Sequence, residues 1–427
     1  EKVDVIVGDG RSVLTRLDRK YDIIVANSVA TWAAHSSGAM NLTESGLFTT
    51  EAFVEYRDKL KDDGLLSVSL WDEADHSLPL RLIETWQAAN NLGEEIGNCV
   101  VVIGNRWGDE RWFTNVLMSK KPFTEDQLLA LGGASDELDF DRIWWAHEGE
   151  DELEQYFKNP SLFKEECRYD IEAATDNRPF FFYTIRFSEA TRFWDQQART
   201  DNAAWFSLIA SFVVLTIFVV GLIGLPLWWI RKNKATTSGL SGRENLFFCL
   251  LGASFMLVEI SLIQRLTLFL GHPTYALTVV LSGLLAWSGI GSFWADRLTK
   301  SESKTNALRK VLLALSLIAL PMWFLIPDAG DAFTQQTTFI RILVSLLILC
   351  PLGILMGMPM PLALFALGDR DAGSIPWAWG LNGAIGVLAS VAAVIIAITC
   401  GFTLAFCLGG SFYLLAAFVW PSGRESR

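Results

Sequence analysis

The chain has 427 residues, 51% of them hydrophobic, a net charge of −12 and a mean hydropathy of +0.31. That hydropathy is too high for an ordinary soluble protein. The acidic balance argues against nucleic-acid binding, because phosphates would be repelled rather than neutralised.

The charge is unevenly spread. Residues 1–203 carry 21 Lys and Arg against 38 Asp and Glu, whereas residues 204–427 carry 14 against 9. An acidic globular half therefore precedes a membrane half. An acidic surface suits a cationic small molecule such as a polyamine, and it equally suits plain solvation. The cysteines (Cys99, Cys167, Cys249, Cys350, Cys400 and Cys407) show no CxxC spacing, and His35, His76, His147 and His272 form no HxxxH or HExxH pair. Neither a disulfide framework nor a protein-built metal centre is expected. With no initiator Met and no signal-like opening, the chain reads as the C-terminal part of something longer. Its missing N-terminal segment, or another membrane subunit, is then an expected partner.

Val3–Val7 predicts a strand closed by the turn Gly8-Asp9-Gly10, and SVLTRLDRK follows with helical spacing. YDIIVA is the next strand. A long polar loop, NSVATWAAHSSGAMNLTESG, precedes the helix TTEAFVEYRDKLK, which Asp62, Asp63 and Gly64 are expected to stop. LLSVSLW, NCVVVIGN and RWFTNVLMSK read as strands, with the helix SLPLRLIETWQAAN after the first of them. The alternation predicts an α/β domain with a mostly parallel sheet, with antiparallel last strands as an open alternative. Three regions follow: an α/β domain at 1–123, an acidic helical or irregular extension with a juxtamembrane segment at 124–203, and an all-α membrane domain at 204–427.

Seven apolar stretches approach the roughly 20 residues that a bilayer span needs: 204–230, 246–270, 274–294, 309–327, 340–367, 378–399 and 402–420. The fifth contains Pro351, Pro359 and Pro361, which suit a broken helix. Lys and Arg gather in the loops at 231–243, 296–310 and 368–376 and in the C-terminal tail, so the charge rule puts the acidic domain outside the cytoplasm.

The pieces VGDGR (7–11), YDIIVAN (21–27), LFTTEAFVEYRDKLKDDG (47–64) and LLSVS resemble the spermidine synthase family, aminopropyltransferases with a Rossmann fold like that of S-adenosylmethionine-dependent methyltransferases. TDNRPFFF, QRLTLFLGHPTYALTVVL and WGLNGAIGVLAS extend the likeness to its membrane-embedded members, the fused transporter/spermidine synthase type. The resemblance implies a bacterial inner membrane and a site for S-adenosylmethionine or its decarboxylated form. Asp9 would accept a hydrogen bond from the adenine amino group, with Gly8 and Gly10 allowing close backbone approach. The family's catalytic Asp falls on Asn27, and a second Asp falls on Ala30. An amide can neither take a proton nor offset an ammonium charge, and general-base catalysis contributes roughly 10²–10⁴ in rate. Glu44 is the best substitute by chain position, with His35 as another. S-adenosylmethionine is made in the cytosol, so cofactor supply and the charge rule disagree about the side of the domain.

In the second span Glu259 falls near the centre of SFMLVEISLIQRL, where an acidic group costs roughly 2.5–3.5 kcal/mol and should face the bundle interior. Glu259, with Gln264 and with Asn382 of GLNGAIG, is a candidate polar membrane site for a cation or proton, or else a structural element. Gly380, Gly383 and Gly386 here, and Gly283, Gly289 and Gly291 in the third span, read as helix-packing positions. Three functions follow from these features: a membrane-anchored transferase acting on an amine, a degenerate polyamine- or cation-binding or transport protein, and a structural subunit of a membrane complex.

Overall fold

A computed structural model describes residues 3–27, 44–73, 76–107, 111–145, 148–149, 151–186, 203–226, 228–229, 239–301, 303–333 and 336–421. Contacts divide the chain near Ser207, one unit holding Gly10–Ser207 and the other Leu208–Arg427.

The first unit begins with α1 (Gly10–Arg16), β1 (Tyr21–Asn27), α2 (Thr50–Lys59), β2 (Leu60–Glu73), α3 (Ser77–Asn90), β3 (Val100–Trp107) and β4 (Arg111–Ser119). It continues through α4 (Glu125–Glu137), β5 (Asp141–Trp145), β6 (Glu148–Gly149), α5 (Asp151–Lys158) and α6 (Pro160–Glu166). Local chemistry starts the helices where polar caps stand. The Thr49 hydroxyl accepts from the Ala52 N–H at the head of α2, and Thr124 and Gln127 form a capping box on α4.

The strands form one mixed sheet in the order β1-β2-β4-β3-β5-β6. Only β1 and β2 are parallel, because α2 carries the chain back across the sheet between them. The other pairings are antiparallel, which corrects the mostly parallel expectation. Three residues separate β3 from β4, too few for a parallel crossover. The acidic extension also contributes β5 and β6, so backbone hydrogen bonds tie residues 141–145 and 148–149 into the same sheet.

Two further expectations are corrected. Val3–Val7 is irregular rather than a strand, and Val5 and Val7 are exposed at 84% and 97%. β1 is the sheet edge, and this run does not add to it, so nothing in the sheet satisfies its backbone. Nor does Lys61-Asp62-Asp63-Gly64 form a free turn: α2 ends at Lys59 and these residues run on into β2. The register jumps there, from Tyr21 opposite Leu60 to Ile23 opposite Leu65. A β-carbon on Gly64 would lie 3.0 Å from the Tyr21 carbonyl oxygen, so a larger residue at this bulge would have to push the neighbouring backbone aside.

Phe53, Leu66, Val68, Ile83, Trp86, Val102, Val116 and Met118 form the centre of the core. The segment TDNRPFFFY closes it, with Phe180, Phe181 and Tyr183 buried. Arg81 of α3 reaches into this segment. Its Nε donates to the Glu172 carbonyl at 2.9 Å and Nη1 to the Phe181 carbonyl at 3.1 Å, with a further bond to the Tyr183 carbonyl. Burial pushes the guanidinium down to about 10 against the pull of Asp170.

The second unit is helical: α7 (Ala203–Val219, running on through a π turn), α8 (Gly242–Leu270), α9 (Pro273–Ser301), α10 (Lys304–Phe333), α11 (Thr338–Met356), α12 (Pro359–Asp371), α13 (Ile375–Cys400) and α14 (Phe402–Val419). Among the described residues, six helical stretches are long and apolar enough to cross a membrane, which supports a multi-pass membrane protein. The fifth of these, Thr338–Cys400, has 63 residues, or roughly 95 Å of helix, far more than one crossing. It is divided at Gly357–Met358, between Pro351 and Pro359, and again by a 3₁₀ turn at Ala372–Ser374. The α11–α12 break matches the broken helix that its prolines suggest.

Ion pairs and carbonyl bonds gather the basic ends. Lys304 meets Asp369 at 2.5 Å, Arg370 pairs with the buried Glu244, and Arg309 and Arg243 donate to carbonyls of Ala417 and Val419. The α8 start and the α12 and α14 ends therefore share one end of the bundle with the α10 start. At the opposite end, the buried Arg341 donates to the Phe269 carbonyl at 2.9 Å, capping the α8 C-terminus.

Glycine packing also differs from the expectation. A β-carbon on Gly380 or Gly383 would meet nothing within 4 Å, and on Gly386 only Met256 at 3.5 Å and a carbonyl beyond it. In the third span the expectation holds at two positions: a β-carbon on Gly283 or Gly291 would come within 3 Å of a neighbouring atom, whereas on Gly289 it would meet nothing within 4 Å. The Gly252 position faces the Asn382 carbonyl, Gly291 faces that of Ile354, and Gly357 faces that of Ser288, at 2.2, 2.0 and 2.1 Å.

Candidate functional site

Asn27 ends β1 opposite Ser69 of β2, at the C-terminal edge of the one parallel pair. Side chains alternate along a strand. Ile24 and Ala26 accordingly pack on the core, while Ile23, Val25 and Asn27 point to the exposed face. The carboxamide therefore stands at an open strand end. His35 and Ala30 lie outside the described residues.

Gly10 opens α1, and a β-carbon there would meet only the Leu47 side chain at 3.7 Å. No close backbone approach demands a glycine at that position. Gly8 is exposed and Asp9 half-buried, and both precede α1 on irregular chain rather than at the end of a strand in the sheet. Among the described residues, Gly8, Asp9 and Gly10 thus do not form the strand-end cradle that an S-adenosylmethionine nucleoside would occupy in the family.

The neighbouring arginine joins the motifs instead. Arg11 donates to Glu55 Oε1 at 2.7 Å, to Asp176 Oδ1 at 2.7 Å and to the Gly46 carbonyl at 3.1 Å. Thr49 also donates to Asp176, and Thr15 to Glu55. One guanidinium thereby connects VGDGR, LFTTEAF and TDNRPFFF, three segments that the sequence alone leaves apart. Its two carboxylates hold the Arg11 guanidinium well above its ordinary value despite burial, and bidentate geometry strengthens such contacts. Arg11→Met should lower the unfolding free energy of this unit by about 1.5–3 kcal/mol, because Glu55 and Asp176 lose a shared cation. Denaturant unfolding of the full chain followed by Trp fluorescence tests this, and an unchanged transition would refute it.

Glu44 begins the segment that Arg11 holds. Ser45 N–H donates to the Pro179 carbonyl at 2.7 Å, and Leu47 lies beside Gly10. Surrounding atoms crowd the Glu44 carboxyl and push it up to about 7 by desolvation. The residue's own surface stays exposed to water, which tempers that push.

In the bundle, Glu259 lies on α8 with 7% of its surface exposed, and among the described residues no hydrogen bond or ion pair reaches its carboxylate. Gln264 is also buried, but five residues along a helix turn it about 140° from Glu259. Asn382 lies against Gly252, about two turns from Glu259 along α8. The structure therefore does not gather these three residues into one site. Arg265 stacks over the Trp323 ring of α10, its guanidinium carbon 5.0 Å from the ring centre.

Tyr413 of α14 is a further buried polar group of the bundle, and among the described residues its hydroxyl has no hydrogen-bond partner. Sequence reasoning missed it because GGSFYLLAAF reads as an ordinary apolar span.

No family model, curated protein or solved structure matches the chain. Its functional reading accordingly rests on its own residues.

Proposed function

We propose that this chain is a spermidine synthase-like membrane protein that binds or moves an amine or another cation, its soluble domain having lost base-catalysed transfer. The observation that carries this reading is Glu259. A carboxylate inside an apolar helix bundle, with no ion pair among the described residues, calls for a positively charged companion. Asn27 supports the other half, since an amide at the open end of β1 cannot take a proton from an amine. The acidic balance of residues 1–203 favours cationic ligands over anionic ones.

Uptake of labelled spermidine by the full chain in proteoliposomes is the test. Uptake that Glu259→Gln reduces at least tenfold, with no consumption of S-adenosylmethionine, supports the reading. Absence of both uptake and binding, with turnover of S-adenosylmethionine, would replace it with the second reading. That second reading is transfer to an amine, and the raised carboxyl of Glu44 favours it: a base near 7 is well matched to neutral pH. Glu44→Gln would then lower turnover by roughly 10²–10⁴.

A further inference from the structure

We propose that α12 is a hinged half-helix held shut by an ionic latch: it pivots at Gly357–Met358, and Asp369 and Arg370 at its far end fasten it to the starts of α10 and α8. That the opening serves a cation rests on the cation-handling reading, but the latch itself can be measured without any transport.

Two independent features meet on this one helix. The first is the break. Pro359 and Pro361 have no N–H to donate back to α11, and the Met358 N–H reaches only the Leu355 carbonyl, at 3.3 Å. The α11 side of the break is pinned, because Gly357 lies against the Ser288 backbone and Gly291 against that of Ile354. A change of angle at the break therefore moves α12 and leaves α11 on α9.

The second feature is the far end, where three successive charged residues each hold a different neighbour. Lys304 at the head of α10 meets Asp369 at 2.5 Å and donates to the Phe365 carbonyl at 3.3 Å. Arg370 pairs with Glu244 in the first turn of α8. Asp371 accepts from the Gly239 N–H at 3.0 Å, and from the Gly373 N–H and Ser374 hydroxyl of the 3₁₀ turn that follows. α12 thus joins α13 through a turn as well, so it is jointed at both ends.

These contacts are made to part. Lys304 and Asp369 are 31% and 65% exposed, so water and salt screen their attraction. Glu244 is buried, yet the Ser241 N–H donates to its other oxygen at 2.8 Å. Release of Arg370 therefore leaves that carboxylate still hydrogen-bonded at the head of α8 rather than stranded. The hinge also sits at a telling depth. Ser288 is near the middle of α9, and from there α12 runs about 20 Å to the end of the bundle. Glu259, near the middle of α8, lies at a comparable depth from the same end. Swinging α12 outward would open the bundle between that end and the level of Glu259, as a broken helix does when a transport protein changes access.

Spin-label distance measurement on the full chain in lipid nanodiscs tests the proposal, with the native cysteines replaced by alanine and labels on Ala372→Cys beside the α12 end and Leu415→Cys on α14. At low salt a single short distance should dominate. Asp369→Lys with Arg370→Glu exchanges the two charges without altering net charge, and it sets like against like at both pairs. It should add a population longer by about 5–10 Å, which a tilt of roughly 15–30° produces over a helix of this length. Lys304→Glu then rebuilds one pair in reverse, and Glu244→Gln relieves the other while still able to cap α8, so the short distance should return. Raising salt from about 0.1 to 1 M cuts the screening length from about 10 to 3 Å and should populate the long distance with the latch residues unmutated. Asp296→Asn, which breaks the Asp296–Lys300 pair at the end of α9, should change nothing. One short distance under every condition would overturn the proposal. So would a long distance that the restoring substitutions leave in place, or one that Asp296→Asn produces equally, since either means general loosening. Distances that behave as expected alongside absent spermidine uptake would retire the transport reading and leave the latch standing.

Discussion

Arg81→Met should destabilise the soluble unit by about 3–5 kcal/mol, the largest single effect expected there. The side chain is 1% exposed and fills its space with aliphatic stem as well as charge. Met replaces the stem, so packing is largely kept. What is lost is the donor set for three carbonyls, those of Glu172, Phe181 and Tyr183. Each buried acceptor left without a donor costs roughly 1–3 kcal/mol. Asp170 is not orphaned, because Arg178 meets it at 2.7 Å while Arg81 approaches only to 4.0 Å. The ion pair is therefore a minor part of the loss, and the carbonyls are the major part. Relief of the Arg81 desolvation gives some of this back, which holds the effect within the stated range. Arg81→Lys should fall between the two, since one ammonium cannot reach three diverging carbonyls. Hydrogen exchange on the full chain should show residues 172–183 opening first. Wild-type protection of that segment in Arg81→Met would refute the assignment.

Gly357→Ala should disrupt the α9–α11 contact and lower stability by about 3 kcal/mol, the upper end of overpacking costs. A β-carbon there would stand 2.1 Å from the Ser288 carbonyl oxygen and 2.5 Å from its α-carbon. Both obstacles are backbone, so no rotamer change relieves the clash and the helices must separate. Gly291 makes the reciprocal contact with the Ile354 carbonyl, so the two glycines set one interhelical distance from both sides. Gly380→Ala is the control. Its β-carbon would meet nothing within 4 Å, and alanine favours helix by roughly 1 kcal/mol, so stability should hold or rise. Thermal unfolding of both variants in detergent decides the matter. Equal behaviour would mean that the α9–α11 approach is not limiting.

The same comparison shows why GLNGAIG misled. Glycines spaced for one helix face do not reveal whether another helix lies against that face. Gly252 has no such spacing and Gly357, four residues after Gly353, does, yet both mark where backbones touch. Tyr413 escaped notice for a related reason: whether a span aromatic faces lipid or the bundle interior depends on helix arrangement. Arg11, Glu55 and Asp176 are ordinary charges until the fold brings positions up to 165 residues apart within hydrogen-bond reach.

By itself the sequence determined what local physics controls. Hydropathy over about 20 residues marked the membrane helices, Ser241 with Glu244 and Thr124 with Gln127 began helices by satisfying their free N–H groups, and Pro359 marked a break. Short apolar runs bounded by turns and helices marked β1 to β4 as strands. Only the tertiary structure decided how those strands pair. Direction and neighbour depend on connection length and long-range packing, so one pair is parallel and the rest antiparallel. For the same reason Val3–Val7, as apolar as its neighbours, forms no strand, whereas the acidic stretch at 141–149 does. A strand exists only where a partner accepts its backbone, and no local pattern specifies that partner.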